Sequence, residues 1–380
     1  MKIRQHIWVQ GKGFIETPVR EGQDEAQLVL VFGSRELFEE PAPMEEIRSL
    51  YPDAQIIGCS TAGEICGTQV WENTLVVTAI SFAHTTLSTA ETCLGETTGS
   101  FAAGQRLGAT LPADGLSHVL VLSDGLHVNG SELVKGLAGA LPPAVAITGG
   151  LSGDADRFKK TLVWFDHTAR ENRVVAIGLY SKHLRVGYGS LGGWDPFGPE
   201  RIITRSRGNI LYELDGESAL ALYKRYLGEH ATSLPSSGLL FPLSLRDNSS
   251  QTAVVRTILA VNEADQSMTF AGDMPQGMKA RLMRANLDRL VDGATGAAST
   301  CRGALQSRDA ELAILISCVG RKLILKQRTE EEVEGVHTIL GPGAAMTGFY
   351  SYGEISPFTP AARCELHNQT MTITVFSEAT

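Results

Sequence analysis

The sequence predicts an α/β protein in two domains, with repeated strand–helix–strand units forming mixed sheets covered by helices. Three observations carry the prediction. A glycine motif recurs: Gly-Cys-Ser-Thr-Ala-Gly-Glu-Ile at 58–65 and Gly-Phe-Tyr-Ser-Tyr-Gly-Glu-Ile at 348–355, with a shorter relative, Gly-Gly-Leu-Ser-Gly-Asp, at 149–154. Each copy is approached in the same way, by an apolar strand, a helix and a short strand. An apolar strand then follows each, at 75–82, 174–180 and 371–376. Continuous apolar strands alternating with helices describe sheets buried on at least one face. Self-similarity of this kind marks a repeat architecture.

Taken in order, residues 1–25 are polar and mixed and read as a loose lead-in with one weak strand. The first domain is expected over 26–227 and the second over 228–380. The boundary falls in a polar stretch, 228–238, that carries Pro and Ser. The first unit opens with the apolar run 28–32 and continues into a helix near 44–51. The second has its run at 119–122 and a helix at 131–141, where Asn129 and Glu132 have capping-box spacing. The third has its run at 312–316 and a helix at 330–336, with Thr329 and Glu332 at the same spacing. An amphipathic helix at 218–227, a hairpin over 253–271 and a helix at 285–298 complete the pattern.

A chain of 380 residues is long for one domain. Its net charge of −9 and the lack of a basic run leave no electrostatic footprint for DNA or RNA. No apolar stretch reaches the roughly 18 residues that span a bilayer, and the N-terminus has no apolar core of a secretory signal. None of the six cysteines has Cys-x-x-Cys spacing, which disfavours a zinc ribbon, a thioredoxin-type site and c-type haem attachment. They read as buried reduced thiols, and a cytoplasmic location is expected.

The glycine motif first suggests a nucleophile, Ser60 or Cys59, on a sharp turn. The nucleophile elbow needs Gly-x-Ser-x-Gly, however, and here one more residue intervenes. In the second copy these positions are Tyr350 and Phe349, while the glycines and the Glu-Ile persist. The motif therefore reads as a backbone platform, used once in each half, with the halves facing each other across a ligand. Its ligand-binding candidates are Gly58, Ser60, Gly63, Glu64, Gly348, Tyr350, Gly353 and Glu354. The competing reading has Glu64, Asp154 and Glu354 accepting backbone N–H bonds within their own turns. Gly187 to Gly192 match Gly-x-Gly-x-x-Gly, but no helix can start at the following Gly-Trp-Asp-Pro, so a dinucleotide site is rejected. His127, in the loop after the second apolar strand, and His367, entering the last strand, are the candidate metal ligands. Arg256 and Arg321 are cations in apolar surroundings, suited to hold a carboxylate or to make internal pairs.

An ordered set of stretches resembles the FIST sensory proteins, which pair an N-terminal and a C-terminal FIST domain. It comprises the three glycine motifs, Gly-Trp-Asp-Pro-Phe-Gly-Pro at 193–199, Leu-Tyr-Glu-Leu-Asp-Gly at 211–216, Phe-Pro-Leu at 241–243, Ala-Gly-Asp-Met-Pro-Gln-Gly at 271–277 and residues 366–374. The resemblance runs from about residue 25 to 378 and implies a signal-transduction input module for a small-molecule ligand, with amino acids a proposed class. Many members carry an output domain, and this chain is expected to end at the FIST boundary. Members of this length look like bacterial nitric-oxide-sensing proteins, which implies haem b, a partner histidine kinase, two-component regulation and an effect on biofilm. Three functions follow: a haem and nitric-oxide sensor, a haem-free sensor of an amino-acid-like metabolite, and a Ser or Cys hydrolase.

Overall fold

In the computed structural model, which describes residues 1–16, 26–247, 253–306, 308–358 and 362–378, three mixed sheets share one strand order. Each is built around an apolar leading strand: Leu28–Gly33, Leu116–Ser123 or Leu312–Cys318. A helical connection returns the chain to a parallel second strand, Gln55–Ser60, Ala146–Leu151 or Ala345–Ser351. The third strand, Thr74–Ser81, Arg173–Tyr180 or Met371–Glu378, runs antiparallel on the other side. Beyond it lies Lys2–Val9, Thr86–Cys93 or Leu184–Leu191. The three repeat units read from the sequence each form one of these sheets.

The fifth strand of every sheet comes from a different repeat. Glu64–Cys66 leaves the first repeat and pairs with Ala345–Ser351 of the third. Gly353–Pro357 leaves the third and pairs with Ala146–Leu151 of the second. Val163–Phe165 leaves the second and pairs with Gln55–Ser60 of the first. The cycle is fastened by three equivalent backbone hydrogen bonds. The Ala62 N–H donates to the Tyr350 carbonyl at 2.8 Å, Gly153 to Ser60 at 2.8 Å, and Tyr352 to Leu151 at 3.2 Å. The body is therefore a pseudo-threefold ring.

Apolar side chains on alternate strand positions point inward and meet on the ring axis. Leu30 and Phe32, Leu120 and Leu122, and Ile314 and Ile316 share one buried cluster, with Phe32 and Phe349 in ring contact at 4.8 Å. The opposite faces are covered by helices: Pro41–Leu50 on the first sheet, Ser100–Thr110 and Gly130–Ala140 on the second, Leu287–Ala304 and Thr329–Leu340 on the third. Burial on both faces is why the strands read as unbroken apolar runs. The residues expected as a loose lead-in supply a full strand, because Ile3, Ile7 and Trp8 are buried against the first sheet; residues 17–25 lie outside the described residues. Asn129 caps its helix by accepting from the Glu132 N–H, as its spacing predicts. The second capping box does not form. Thr329 lies inside the helix, and Arg321 draws Glu332 into the core.

Between Leu184–Leu191 and Leu287–Ala304 the third repeat carries an inserted antiparallel sheet, from Asp195–Arg207 to Lys279–Arg284, with helix Ala219–Leu227 against it. Leu220 and Tyr223 of that helix share a core with Leu211, Leu243, Leu245 and Phe270. The boundary expected at 227/228 thus falls inside this unit, since residues from both sides build one core. Among the described residues no helix is long and apolar enough to cross a membrane.

Candidate ligand-binding site

The recurring glycines have a steric cause. A Cβ at Gly58, Gly149 or Gly348 would overlap the carbonyl oxygen of the neighbouring leading strand, at Val31, Val121 or Leu315. These residues set the spacing between strands and do not face a cavity. Gly63 meets no such carbonyl; its φ of 135°, like the 152° of Gly149, favours glycine.

The recurring glutamates have a local cause. Glu64 accepts from the Thr61 hydroxyl at 2.6 Å and from the Thr74 hydroxyl at 2.8 Å. Glu354 accepts from the Ser351 hydroxyl at 2.7 Å and from the Thr370 hydroxyl at 2.9 Å. Each carboxyl thus ties its turn to the residue that opens the third strand. Burial pushes Glu64 up to about 7 and Glu354 up to about 8, against the pull of their hydroxyl donors. In the second repeat the register places Ala155 at the glutamate position, and the Ser152 hydroxyl, equivalent to Thr61 and Ser351, is buried with no partner. Asp154 lies one place earlier. It instead holds Arg157 at 2.6 Å and Arg35 at 3.5 Å.

Thr61, Gly63 and Glu64 border a cleft of about 620 Å³ where all three repeats meet. The first repeat adds Ser34, Glu72 and Asn73, the second Ala155 to Arg157. The third contributes Lys322, Leu323 and Lys326 from the short helix Val319–Leu325 and the residue after it. Lys322 stands at the centre. Its ammonium donates to the Ala62 carbonyl at 2.8 Å and to Glu72 at 2.6 Å, and lies 5.7 Å from the Tyr350 ring centroid. The walls thus present Lys322, Lys326 and Arg157 alongside Glu72 and Asp156, with Glu64 beneath.

Of the eight predicted ligand-binding residues, only Gly63 and Glu64 line this cleft. Gly58 and Gly348 lie within strands. Ser60 is fully buried, donating to the Gly153 carbonyl and accepting from the Leu162 N–H, both at 2.8 Å. Tyr350 donates to buried Glu332 at 2.7 Å. Gly353 and Glu354 belong to a different junction, that of the third and second repeats. The two glycine motifs do meet, but as paired strands with Glu64 opposite Phe349, leaving no gap for a ligand. The cleft's cations lie far along the chain from the motif, so only the threefold closure brings them to it.

Neither candidate metal ligand lines the cleft. His127 is partly exposed, its Nδ1 3.2 Å from Asp124. His367 is buried, with Nε2 2.8 Å from the Ser356 carbonyl and its ring edge-on to Phe358, and burial lowers it to about 4. No group of three His, Cys, Asp or Glu residues among those described could hold a metal ion. The cleft lining contains no histidine, cysteine, methionine or tyrosine, so its donor set does not fit a haem iron. Cys59 is fully buried, and burial drives its thiol well above the usual range, away from the thiolate a nucleophile needs. Arg321 is an internal cation, donating to Glu332 at 2.7 Å and to the carbonyls of Gly192 at 2.6 Å and Leu290 at 2.7 Å. Residues 187–191 of the rejected dinucleotide motif lie in strand Leu184–Leu191.

Residues 27–217 match the FIST N domain and residues 219–357 the FIST C domain. The chain belongs to the FIST family. The seam between the matches falls at Glu217–Ser218, within the inserted unit. FIST domains are associated with sensory signal transduction and ligand binding. No match was found among curated proteins.

Proposed function

We propose that this FIST protein is a haem-free sensor that takes a small amino-acid-like zwitterion into the cleft at Lys322 and signals through a partner. The observation that carries the reading is the position of Lys322. Its ammonium is held by one backbone carbonyl and by Glu72, whose side chain is 66% exposed. A ligand carboxylate can displace that exposed partner, while Asp156 and the Glu64 side of the cleft receive an ammonium. Opposite charges a few ångströms apart in a concave site suit a zwitterion better than a simple anion or cation. No reaction is assigned, since the motif's serine and cysteine are buried and engaged or neutral. The histidine kinase enters as partner through the family resemblance alone.

The test is a thermal-shift and calorimetric panel of amino acids and their amides on the full chain. A stabilising ligand whose effect is lost in Lys322→Ala supports the reading. Absence of a shift with every member of the panel overturns it. A Soret band in haem-supplemented protein that His127→Ala or His367→Ala weakens would overturn its haem-free part.

A further inference from the structure

The threefold body has a second place equivalent to the cleft. In the first repeat the wall before the third strand is Glu72-Asn73, with Asn73 at φ 57°. In the third repeat the same register positions are Asn368 and Gln369, with Gln369 at φ 61°. Thr61, Gly63 and Glu64 have their counterparts in Ser351, Gly353 and Glu354. The inserted unit is fastened across this junction. Trp194 Nε1 donates to the Gln369 carbonyl at 2.7 Å, and Arg256 Nη1 to the Leu366 carbonyl at 2.9 Å. Asp273 receives Asn129 at 3.1 Å and Lys135 at 3.0 Å from the second repeat.

Beneath that cover, Asn368 is 1% exposed and Gln369 0% exposed, and among the described residues neither end of either side-chain amide has a hydrogen-bond partner. Two side-chain amides are thus buried unpaired, that of Gln369 against Gly320. Each group left so costs on the order of 1–3 kcal/mol, and native interiors hold few of them. The surrounding charges are engaged elsewhere. Glu354 is held by Ser351 and Thr370, Arg321 by Glu332, and Arg256 by backbone carbonyls.

We infer that the junction of the third and second repeats is a second ligand site, closed by the inserted sheet, for a small uncharged molecule of the carboxamide class. Such a ligand presents a carbonyl and an NH₂ side by side, the complement of the donor and acceptor ends of Asn368 and Gln369. An unpaired charge would be expelled from a site with no free counter-ion. The inference rests on the pseudosymmetry and the orphaned amides, independently of what the Lys322 cleft binds.

Propionamide is the probe, with propionate and propylamine as its charged counterparts, on the full chain. Propionamide raises the melting temperature by about 2 °C or more in the parent and in Lys322→Ala, but not in Asn368→Leu, and the charged counterparts give no such rise. A crystal grown with propionamide shows it between Asn368 and Gln369. The inference is overturned by no shift in the parent, by an undiminished shift in Asn368→Leu, or by ordered water alone between the two amides. Should Asn368→Leu fail to fold, the crystal decides. Because Lys322→Ala keeps the propionamide response, failure here is distinguishable from failure at the cleft.

Discussion

At the junction where the first repeat's turn meets the third, Glu72, Asn73 and Lys322 look into an open cleft. Where the third repeat's turn meets the second, Asn368 and Gln369 occupy the equivalent places beneath the inserted sheet. The turns are the same in design, each a hydroxyl, a glycine and a buried glutamate tied to the start of the third strand. What differs is what lies over them. At the remaining junction Arg35 and Arg157 converge on Asp154, and Arg157 also walls the cleft. One backbone device thus serves an open, a covered and an ion-paired junction, and the ligand chemistry resides in residues outside the repeated motif.

The largest expected effect lies where the covered junction is fastened. Arg321 holds both segments that lead into and out of the insert, through Gly192 and Leu290, and pairs with a glutamate as buried as itself. Arg321→Met leaves Glu332 buried without its cation and should lower unfolding stability by about 3–5 kcal/mol in chemical denaturation. A loss below about 1 kcal/mol would show that the two junctions are not held differently.

The hydroxyls give a finer contrast. Thr61→Ala and Ser351→Ala each remove a donor to a buried carboxyl and should cost about 1–3 kcal/mol. Ser152→Ala removes a hydroxyl that has no partner and should be neutral or slightly stabilising in the same assay. Equal losses at all three positions would break the equivalence drawn from the register.

The smallest effect is in pH. Glu64 and Glu354, with folded values of about 7 and about 8 against an ordinary 4.5, bind protons more tightly folded than unfolded. Their contribution is complete below 4.5 and is lost as pH rises through about 7 and about 8. The buried His118 and His367 have the opposite sense, since burial lowers them to about 3 and about 4, and they lose stability only as pH falls below 6.5. Melting temperature should therefore decline between pH 6.5 and 8.5, and Glu64→Gln with Glu354→Gln should flatten the decline. An unchanged slope in the double variant would count against protonated carboxyls at both junctions.

The succession of elements along each repeat was legible because leading and third strands buried on both faces leave unbroken apolar runs. The middle glycine motif was seen only as a shorter relative, because the second repeat has Ala155 at the glutamate position and shifts its acid to Asp154. The exchange of strands was not legible, since Glu64–Cys66 and Val163–Phe165 are short and carry no signal of which sheet they join. For the same reason the motif was misread as two faces around a ligand. The inserted sheet escaped because its polar loop at 228–238 resembles a domain linker, while the core that spans it depends on helix Ala219–Leu227 packing across the strands. Of the site, Gly63 and Glu64 were reached by the repeat. Lys322, next to Arg321 in the chain, was not reached, since nothing in its local pattern marks a cleft.

The cyclic exchange of strands has a consequence for how the chain is made. The first sheet waits for Val163–Phe165, and Glu64–Cys66, translated early, has its sheet only once Ala345–Ser351 emerges. On the ribosome an unpaired apolar edge therefore persists through most of synthesis, and such edges are templates for pairing with other chains. The ring closes only when Ala345–Ser351 pairs with Glu64–Cys66 and Gly353–Pro357 pairs with Ala146–Leu151. A nascent chain of this design is exposed to aggregation until its third repeat has emerged, and its yield in a cell should track the supply of chaperones that shield strand edges.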